Sequence, residues 1–182
     1  MWQGDITTFS VDAMVRAASP LTDATVESLS AISRDDVCRA GGPEMLAEMA
    51  AISSWPEASC VVTKPGRLPA GIVIHAIFPA TAHGQDDAAF KKTYMSLFEA
   101  AERHGVRHVS IPLIPVSSSS SSSASWATTA ELAFRAMKEY IDSAHPQATQ
   151  RVTFVACDGK MYDILQEHLF SRFPDELDDK GY

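Results

Sequence analysis

The side chains that could do chemistry are spread along this chain, and few of them stand at the spacing that a catalytic motif requires. Six histidines are scattered too widely for a metal motif such as H-E-x-x-H. The three cysteines, Cys38, Cys60 and Cys157, form no C-x-x-C pair, and we interpret them as small buried side chains of a protein from a reducing compartment. No Ser-His-Asp or Cys-His arrangement has a supporting spacing. We therefore predict neither a metal site nor a bound cofactor.

Carboxylates and hydroxyls are the remaining candidates. An ionised aspartate only accepts hydrogen bonds, so Asp5, in the sequence G-D-I-T, suits an exocyclic amine; the alternative is an aspartate that closes a turn. The serine run 117–123 offers N–H and O–H donors ahead of a predicted helix, where anions bind. Such low-complexity serine is also typical of a flexible polar linker, so both interpretations stay open.

Composition limits the classes of partner. The chain has 182 residues, a hydrophobic fraction of 46% and a formal charge of −8, which is typical of one globular domain with a proper core. The chain is acidic and its longest basic run is Lys91-Lys92, so it lacks the basic surface that binding to duplex nucleic acid requires, and this function is excluded. Backbone N–H groups can still hold a small anion. No apolar run reaches the ~20 residues of a membrane span, and no signal pattern opens the chain. We expect an intracellular protein, cytoplasmic or nuclear, without a membrane partner.

Strands and helices alternate through most of the sequence. Apolar runs predict strands at 12–18, 59–63, 71–78, 106–114 and 151–157. Helical spacing of apolar residues predicts helices at 23–36, 44–52, 86–104, 126–144 and 161–170. This alternation favours an α/β layered domain with a mostly parallel central sheet. Ligands of such sheets bind beyond the carboxyl ends of the strands, so the segments after Val15, Ile114 and Cys157 are the places to look for function.

Five parts of the sequence follow one another in an order and spacing typical of a known family. They are residues 3–7 with 11–15, 39–45, 68–76 with Pro79, 109–114, and 155–158 with Tyr162. The first contains G-D-I-T, the second reads R-A-G-G-P-E-M, and the third reads L-P-A-G-I-V-I-H-A. On these motifs the chain resembles the macrodomains, the modules that bind ADP-ribose. The resemblance implies a three-layer α/β/α fold with a mixed, mostly parallel central sheet. We predict one such domain over 1–172 and a flexible acidic tail over 173–182.

The resemblance also implies a set of ligand-binding residues. Asp5 and the backbone N–H of Ile6 correspond to the pair that recognises adenine. The other positions fall in the two ligand loops and after the last strand: Ala17, Ala18, Ser19, Ser121, Ser122, Ser123, Trp126, Cys157 and Asp158. Trp126 either forms a wall of the cleft or packs in the core, and Asp158 either approaches the ribose or caps the last helix. Cys157 replaces an aromatic ring that stacks near the adenosine in many relatives.

The first ligand loop departs from the hydrolases of the family. Their N-A-A-N reads R-A-A-S from Arg16, and residues 29–33 replace a run of glycines with side chains that would crowd a pyrophosphate. Asp35 or Asp36 is a candidate catalytic carboxylate if the alignment slips by a residue or two; the alternative is a solvent-exposed pair on a helix surface. Arg16 either binds a phosphate or carboxylate, or is a strand-end arginine that reaches solvent or pairs with an aspartate. We interpret His75, in the most apolar strand, as a core histidine.

Three functions remain open at this stage. The first is a module that binds ADP-ribose or ADP-ribosylated protein without hydrolysing it, and we favour it because the asparagines and glycines of the hydrolases are absent. The second is a macrodomain that has lost the nucleotide and serves as a scaffold for a protein partner. The third is a mono-ADP-ribosyl hydrolase with a rearranged site, in which Asp35 or Asp36 positions a water.

Overall fold

Six strands form one sheet among the residues that the structure describes. The computed structural model describes residues 1–18, 35–78, 87–113, 123–144 and 147–173. The strands are β1 (Trp2–Gln3), β2 (Val11–Ala18), β3 (Ser59–Thr63), β4 (Ala70–Ile77), β5 (His108–Pro112) and β6 (Arg151–Ala156). Their spatial order is β1-β6-β5-β2-β4-β3, and every neighbouring pair is parallel except β3 and β4. The predicted mixed, mostly parallel sheet is confirmed.

Helices lie on both faces of this sheet. They are a short 3-10 helix (Ile6–Thr8), α1 (Asp36–Ala50), α2 (Asp87–Arg103), α3 (Ser123–Ala144) and α4 (Gly159–Arg172). Helix α1 packs on one face through Val37, Cys38 and Met45, while α2, α3 and α4 share the larger core on the other face. These three layers confirm the predicted α/β/α fold. Within the described ranges, no helix is both long and apolar enough to span a bilayer.

The central strands are apolar because both of their faces are covered. Strand β4 lies between β2 and β3, and Val73, Ile74 and Ile77 are fully buried. Gly71, the second residue of β4, lies very close to β2. A Cβ atom at this position would be 2.7 Å from the carbonyl oxygen of Asp12. A glycine is therefore required for the close pairing of the two strands that lead to the candidate site.

Helix α1 differs from its prediction. The glycines and proline at 41–43 predict a break before a helix at 44–52, but α1 already begins at Asp36 and continues through Pro43 with a kink. Gly42 makes the kink possible because it adopts a φ of 78°, where an L side chain is strained. The predicted helix at 23–36 falls almost wholly outside the described residues, and so do residues 174–182 of the predicted tail.

Candidate functional site

Five strands of the sheet are parallel, and four of them, β1, β6, β5 and β2, end beside the sequence-predicted site residues at one edge of the sheet, which we call the carboxyl edge. Gln3 pairs in register with Ala156, and Pro112 pairs with Val155, so these three strands stop at the same level. The sequence-predicted site residues follow these ends: Asp5 and Ile6 after β1, Cys157 and Asp158 after β6, Ser123 and Trp126 after β5, and Ala17 and Ala18 at the end of β2. The fold thus gathers at one edge residues that lie up to 153 positions apart, from Asp5 to Asp158.

Asp5 is an exposed carboxylate that caps the short 3-10 helix. Its Oδ1 accepts hydrogen bonds from the backbone N–H of Thr7 at 2.9 Å and from the Thr7 hydroxyl at 2.7 Å. These bonds hold the pKa of the Asp5 carboxyl below its usual range, so the group is an ionised acceptor. Both recorded bonds end on Oδ1, which leaves Oδ2 without a recorded bond among the described residues. The turn-closing interpretation of Asp5 is therefore observed, and it is compatible with a second acceptor role.

Ile6, whose backbone N–H the resemblance assigns to adenine, is half-buried. Its side chain packs on the α1 face of the sheet beside Phe9. Phe9 in turn stacks on the Trp2 ring, with ring centroids 4.7 Å apart. This packing anchors the first turn after β1 and so fixes the position of Asp5 and of the Ile6 backbone.

Asp158 caps helix α4 at the end of β6. Its Oδ1 accepts a hydrogen bond from the Met161 backbone N–H at 2.8 Å, which is the geometry of an N-terminal cap. The neighbouring Cys157 is exposed, so the prediction that all three cysteines are buried is wrong for this one, while Cys38 is buried and Cys60 half-buried. Partial burial of the sulfur, and then the Asp158 carboxylate, raise the pKa of the Cys157 thiol. The thiol therefore remains protonated at neutral pH and is a poor nucleophile.

Arg16, near the end of β2, pairs with Asp35, the cap of helix α1. The Arg16 Nε donates to Asp35 Oδ2 at 2.9 Å, and the two side chains are 5% and 26% exposed. Asp35 Oδ1 accepts from the backbone N–H groups of Val37 at 2.9 Å and Cys38 at 3.2 Å. Of the two interpretations of Arg16, the pairing with an aspartate is the one that the structure shows.

His75 extends this contact across the sheet. Arg16 and His75 pair in register on β2 and β4, and Arg16 Nη1 lies 3.4 Å from His75 Nδ1. His75 Nε2 lies 2.9 Å from the hydroxyl of Thr63, at the end of β3, and the Trp55 ring packs edge-on against the imidazole. Burial first, and the Arg16 charge second, lower the pKa of His75 from 6.5 to about 3. His75 is therefore a neutral core histidine, as the sequence predicts.

The two candidate catalytic carboxylates have different surroundings. Asp36 lies in the first turn of α1, is exposed and forms an ion pair with Arg39. It fits the alternative interpretation of a solvent-exposed helix residue. Asp35 does not fit that interpretation, because both of its oxygens are engaged in the interior contacts of Arg16 and the α1 cap. Protein donors thus occupy three of the roughly four lone-pair positions of the Asp35 carboxylate.

The two ligand loops are described only in part. Ala17 is half-buried against the larger core, and the carbonyl oxygen of the buried Ala18 accepts from the Phe78 N–H at 3.2 Å. Ser123 is the first residue of α3, and Trp126 is half-buried and packs on the larger core. Ser19, Ser121 and Ser122 lie outside the described residues.

Sequence reasoning overlooked the four-residue spacing of His104 and His108 and the contact of Thr63 with His75. His104 and His108 do stand four residues apart, but His104 follows the end of α2 and His108 begins β5, so they share no helix face. No group of three potential metal ligands occurs within the described part of the chain. Thr63 was not singled out at all. Only the pairing of β3 with β4, which the sequence does not specify, places its hydroxyl against His75.

Comparison with known proteins gives consistent matches. The family model described as Macro domain matches residues 34–133. Among curated relatives, the O-acetyl-ADP-ribose deacetylase 1 of Pantoea vagans is 33% identical over 171 residues, which cover 89% of this chain and 92% of the relative. The O-acetyl-ADP-ribose deacetylase of Citrobacter rodentium is 30% identical, with 91% and 92% covered.

Solved structures show the same fold at lower identity. A macrodomain of Trypanosoma brucei in complex with ADP superposes with a TM-score of 0.72 at 21% identity, covering 92% of this chain and 67% of that one. An Oceanobacillus iheyensis macrodomain with ADP superposes with a TM-score of 0.73 at 21% identity, covering 92% and 87%.

Proposed function

The chain belongs to the macrodomain family, and on that premise we propose that it binds ADP-ribose, free or attached to a protein, at the carboxyl edge. The observation that carries the proposal is the Asp5 carboxylate: it is exposed, ionised and fixed at the end of β1, beside the end of β6. An acceptor-only group in that position suits the exocyclic amine of adenine. Two of the relatives are named O-acetyl-ADP-ribose deacetylases, and these names favour the same class of ligand.

The proposed activity is binding without hydrolysis through Asp35. A general base must reach a water with a free lone pair. Asp35 accepts three hydrogen bonds, two from the backbone of α1 and one from Arg16, and Asp36 points to solvent in an ion pair. The protein donors on Asp35 and the exposed ion pair of Asp36 favour a module that recognises ADP-ribose over one that hydrolyses it.

Calorimetric titration of the purified chain with ADP-ribose tests the binding, with AMP as the comparison ligand. We expect micromolar affinity for ADP-ribose and weaker affinity for AMP, because AMP lacks the second phosphate and the distal ribose. The absence of heat at millimolar ADP-ribose would contradict the proposal. The scaffold function, in which the fold serves a protein partner, would then take its place.

A second candidate is a deacetylase of O-acetyl-ADP-ribose. The observation that favours it is the identity of 33% and 30% to two enzymes of that name over nine-tenths of their length. Acetate release from O-acetyl-ADP-ribose and ADP-ribose release from a mono-ADP-ribosylated protein distinguish the two candidates. Under the binding proposal both rates stay at background. Turnover in the intact chain that disappears in Asp35→Asn would instead make Asp35 the catalytic base.

A further inference from the structure

We propose that Thr63 and His75 are positioning residues of the ligand site, which act through Arg16 on the first turn of α1. The proposal rests on the proposed function, since it concerns the same carboxyl edge. It adds two residues on β3 and β4 that touch none of the sequence-predicted ligand positions. The carrying observation is a continuous run of hydrogen bonds from Thr63 to the cap of α1.

The direction of each hydrogen bond in this run follows from the donors and acceptors. A guanidinium only donates, so the His75 Nδ1 that lies 3.4 Å from Arg16 Nη1 is an acceptor without a proton. The neutral ring must then carry its proton on Nε2 and donate it to the Thr63 hydroxyl at 2.9 Å. The Thr63 hydroxyl hydrogen is left to donate to the Lys64 carbonyl oxygen at 3.1 Å. Only one arrangement of protons satisfies all three contacts.

The run continues from Arg16 to the helix. Arg16 Nε donates to Asp35 Oδ2, and Asp35 Oδ1 accepts from the backbone N–H groups of Val37 and Cys38 in the first turn of α1. Side-chain hydrogen bonds thus lead from β3 through β4 and β2 to the start of α1, the helix that follows the first ligand loop. A change at Thr63 alters the orientation of His75, then of Arg16, and finally of the Asp35 cap.

Burial makes the run stiff. Thr63, His75 and Arg16 are 2%, 0% and 4% exposed. Water is not available to replace a missing partner at such sites, so each group depends on the next one for its hydrogen bond. Loss of the Thr63 hydroxyl removes the acceptor of the His75 Nε2–H and frees the ring to turn, which takes Nδ1 away from Arg16 Nη1.

Helix α1 also bears on the proposed adenine contact. The Arg39 guanidinium, one turn after the cap, contributes to lowering the pKa of Asp5, after the larger effect of the Thr7 hydrogen bonds. Helix α1 also contacts the short 3-10 helix that Asp5 caps. A displaced first turn of α1 changes the charge environment of the Asp5 carboxylate and disturbs the end of β2. Both effects should weaken the binding of ADP-ribose.

Two threonines on this sheet provide a matched comparison. Thr153 on β6 is also buried, at 7% exposure, and its hydroxyl lies 2.8 Å from Nε2 of His108, a contact that is not connected to Arg16. Thr63→Val should raise the Kd for ADP-ribose at least fivefold, while the conservative Thr63→Ser and the control Thr153→Val should stay within twofold of the parent. Equal Kd values for Thr63→Val and the parent, or equal losses in both valine variants, would overturn the proposal. Thr63→Ala serves as the second hydroxyl-free variant if the valine folds poorly.

A ligand-independent measurement separates this proposal from the proposed function. In NMR solvent-exchange experiments, Thr63→Val should increase the amide exchange rates of Val37 and Cys38 about tenfold and move or broaden the Arg16 Nε–H signal, while Thr153→Val leaves them unchanged. If the parent fails to bind ADP-ribose but these changes occur, the proposed function is wrong and the positioning run stands. If the exchange rates and the Arg16 signal do not respond to Thr63→Val, Thr63 does not position α1.

Discussion

Three aspartates near the carboxyl edge all cap a helix, but they differ in the partner of their second carboxylate oxygen. Asp5, Asp35 and Asp158 each accept a backbone N–H through Oδ1 at the start of a helix. Their second oxygens differ: that of Asp35 binds Arg16, that of Asp158 lies 4.0 Å from the Cys157 sulfur, and that of Asp5 has no recorded partner among the described residues. The neighbours of Oδ2, rather than the cap, therefore decide which carboxylate can take a ligand.

The first prediction at this scale concerns Asp5. Asp5→Ala removes the proposed acceptor of the adenine amine, and we expect ADP-ribose binding to weaken by about 1–3 kcal/mol, the range for hydrogen bonds to charged groups. Asp12→Ala is the matched control, because Asp12 also accepts backbone N–H groups, those of Arg107 and His108, but lies at the opposite end of β2. Calorimetry of both variants gives the answer. Unchanged affinity in a folded Asp5→Ala would remove Asp5 from the site.

The second prediction concerns the neutral His75. Its pKa is about 3 in the folded protein and near the usual 6.5 of a histidine when unfolded, so only the unfolded chain takes up this proton between those values. The stabilisation is present above pH 6.5 and is lost as the pH falls towards 3. His75→Gln should therefore show a dependence of unfolding free energy on pH that is shallower by about 1.4 kcal/mol per pH unit in this window. Urea denaturation at pH 4 to 7 measures it, and parallel curves would show that His75 charges in the folded state.

At the scale of the element, helix α1 depends on what precedes it more than on its own sequence. Its cap, Asp35, is held by a strand residue, Arg16, and its interior contains the Gly42 kink and Pro43. A capping side chain satisfies N–H groups that the helix itself leaves without partners. The start of α1 is thus determined jointly by the helix and by β2. The contact between Arg16 and Asp35 holds the two elements together near the carboxyl edge.

A pair of adjacent aspartates tests this view. Asp35→Ala removes a cap, which costs about 0.5–2 kcal/mol, and also removes the carboxylate that pairs with the buried Arg16, so we expect a total loss of at least about 2 kcal/mol of unfolding free energy. Asp36→Ala removes an exposed ion pair and should change stability by no more than about 0.5 kcal/mol. Denaturant unfolding of the two variants compares them directly. Equal losses would mean that the Arg16 contact contributes nothing.

At the scale of the whole molecule, the parallel sheet and its two cores place the ligand residues on elements that are far apart in sequence. Strands β1, β2, β5 and β6 each contribute one end to the carboxyl edge, and helices pack on both faces behind it. Under the proposed function, a ligand at this edge contacts the beginning, middle and end of the chain at once. Its binding therefore stabilises the whole folded domain against unfolding rather than a single segment.

This sharing predicts a thermal shift. ADP-ribose at about 100 times its Kd should add about 2.7 kcal/mol to the folded state, which corresponds to a rise in Tm of roughly 5–10 °C for a domain of this size. AMP at the same concentration should give a smaller rise. Scanning calorimetry or fluorimetry measures both. A Tm that does not respond to either nucleotide would agree with a scaffold and not with a nucleotide-binding module.

The sequence by itself determined the three layers and the mixed, mostly parallel sheet, and it predicts a ligand site beyond the carboxyl ends of the strands. Alternating apolar runs and helical spacings predicted most strands and helices, because burial on both sheet faces demands continuous apolar strands such as β4. The macrodomain motifs, Asp5 among them, were visible because they are local and continuous in the chain. The core role of His75 followed from its apolar neighbours for the same reason.

Only the tertiary structure decided which side chains meet. Arg16, His75 and Thr63 lie on three strands, and their contacts depend on register, which is fixed by the packing of the whole sheet. The same holds for Asp35: its sequence position allowed either a catalytic or a surface role, and only the fold shows that it pairs with the buried Arg16. Cys157 is exposed because β6 ends one residue before it, a boundary set by pairing with β1 and β5. Long-range pairing carries no local sequence signal, so these contacts required the folded chain.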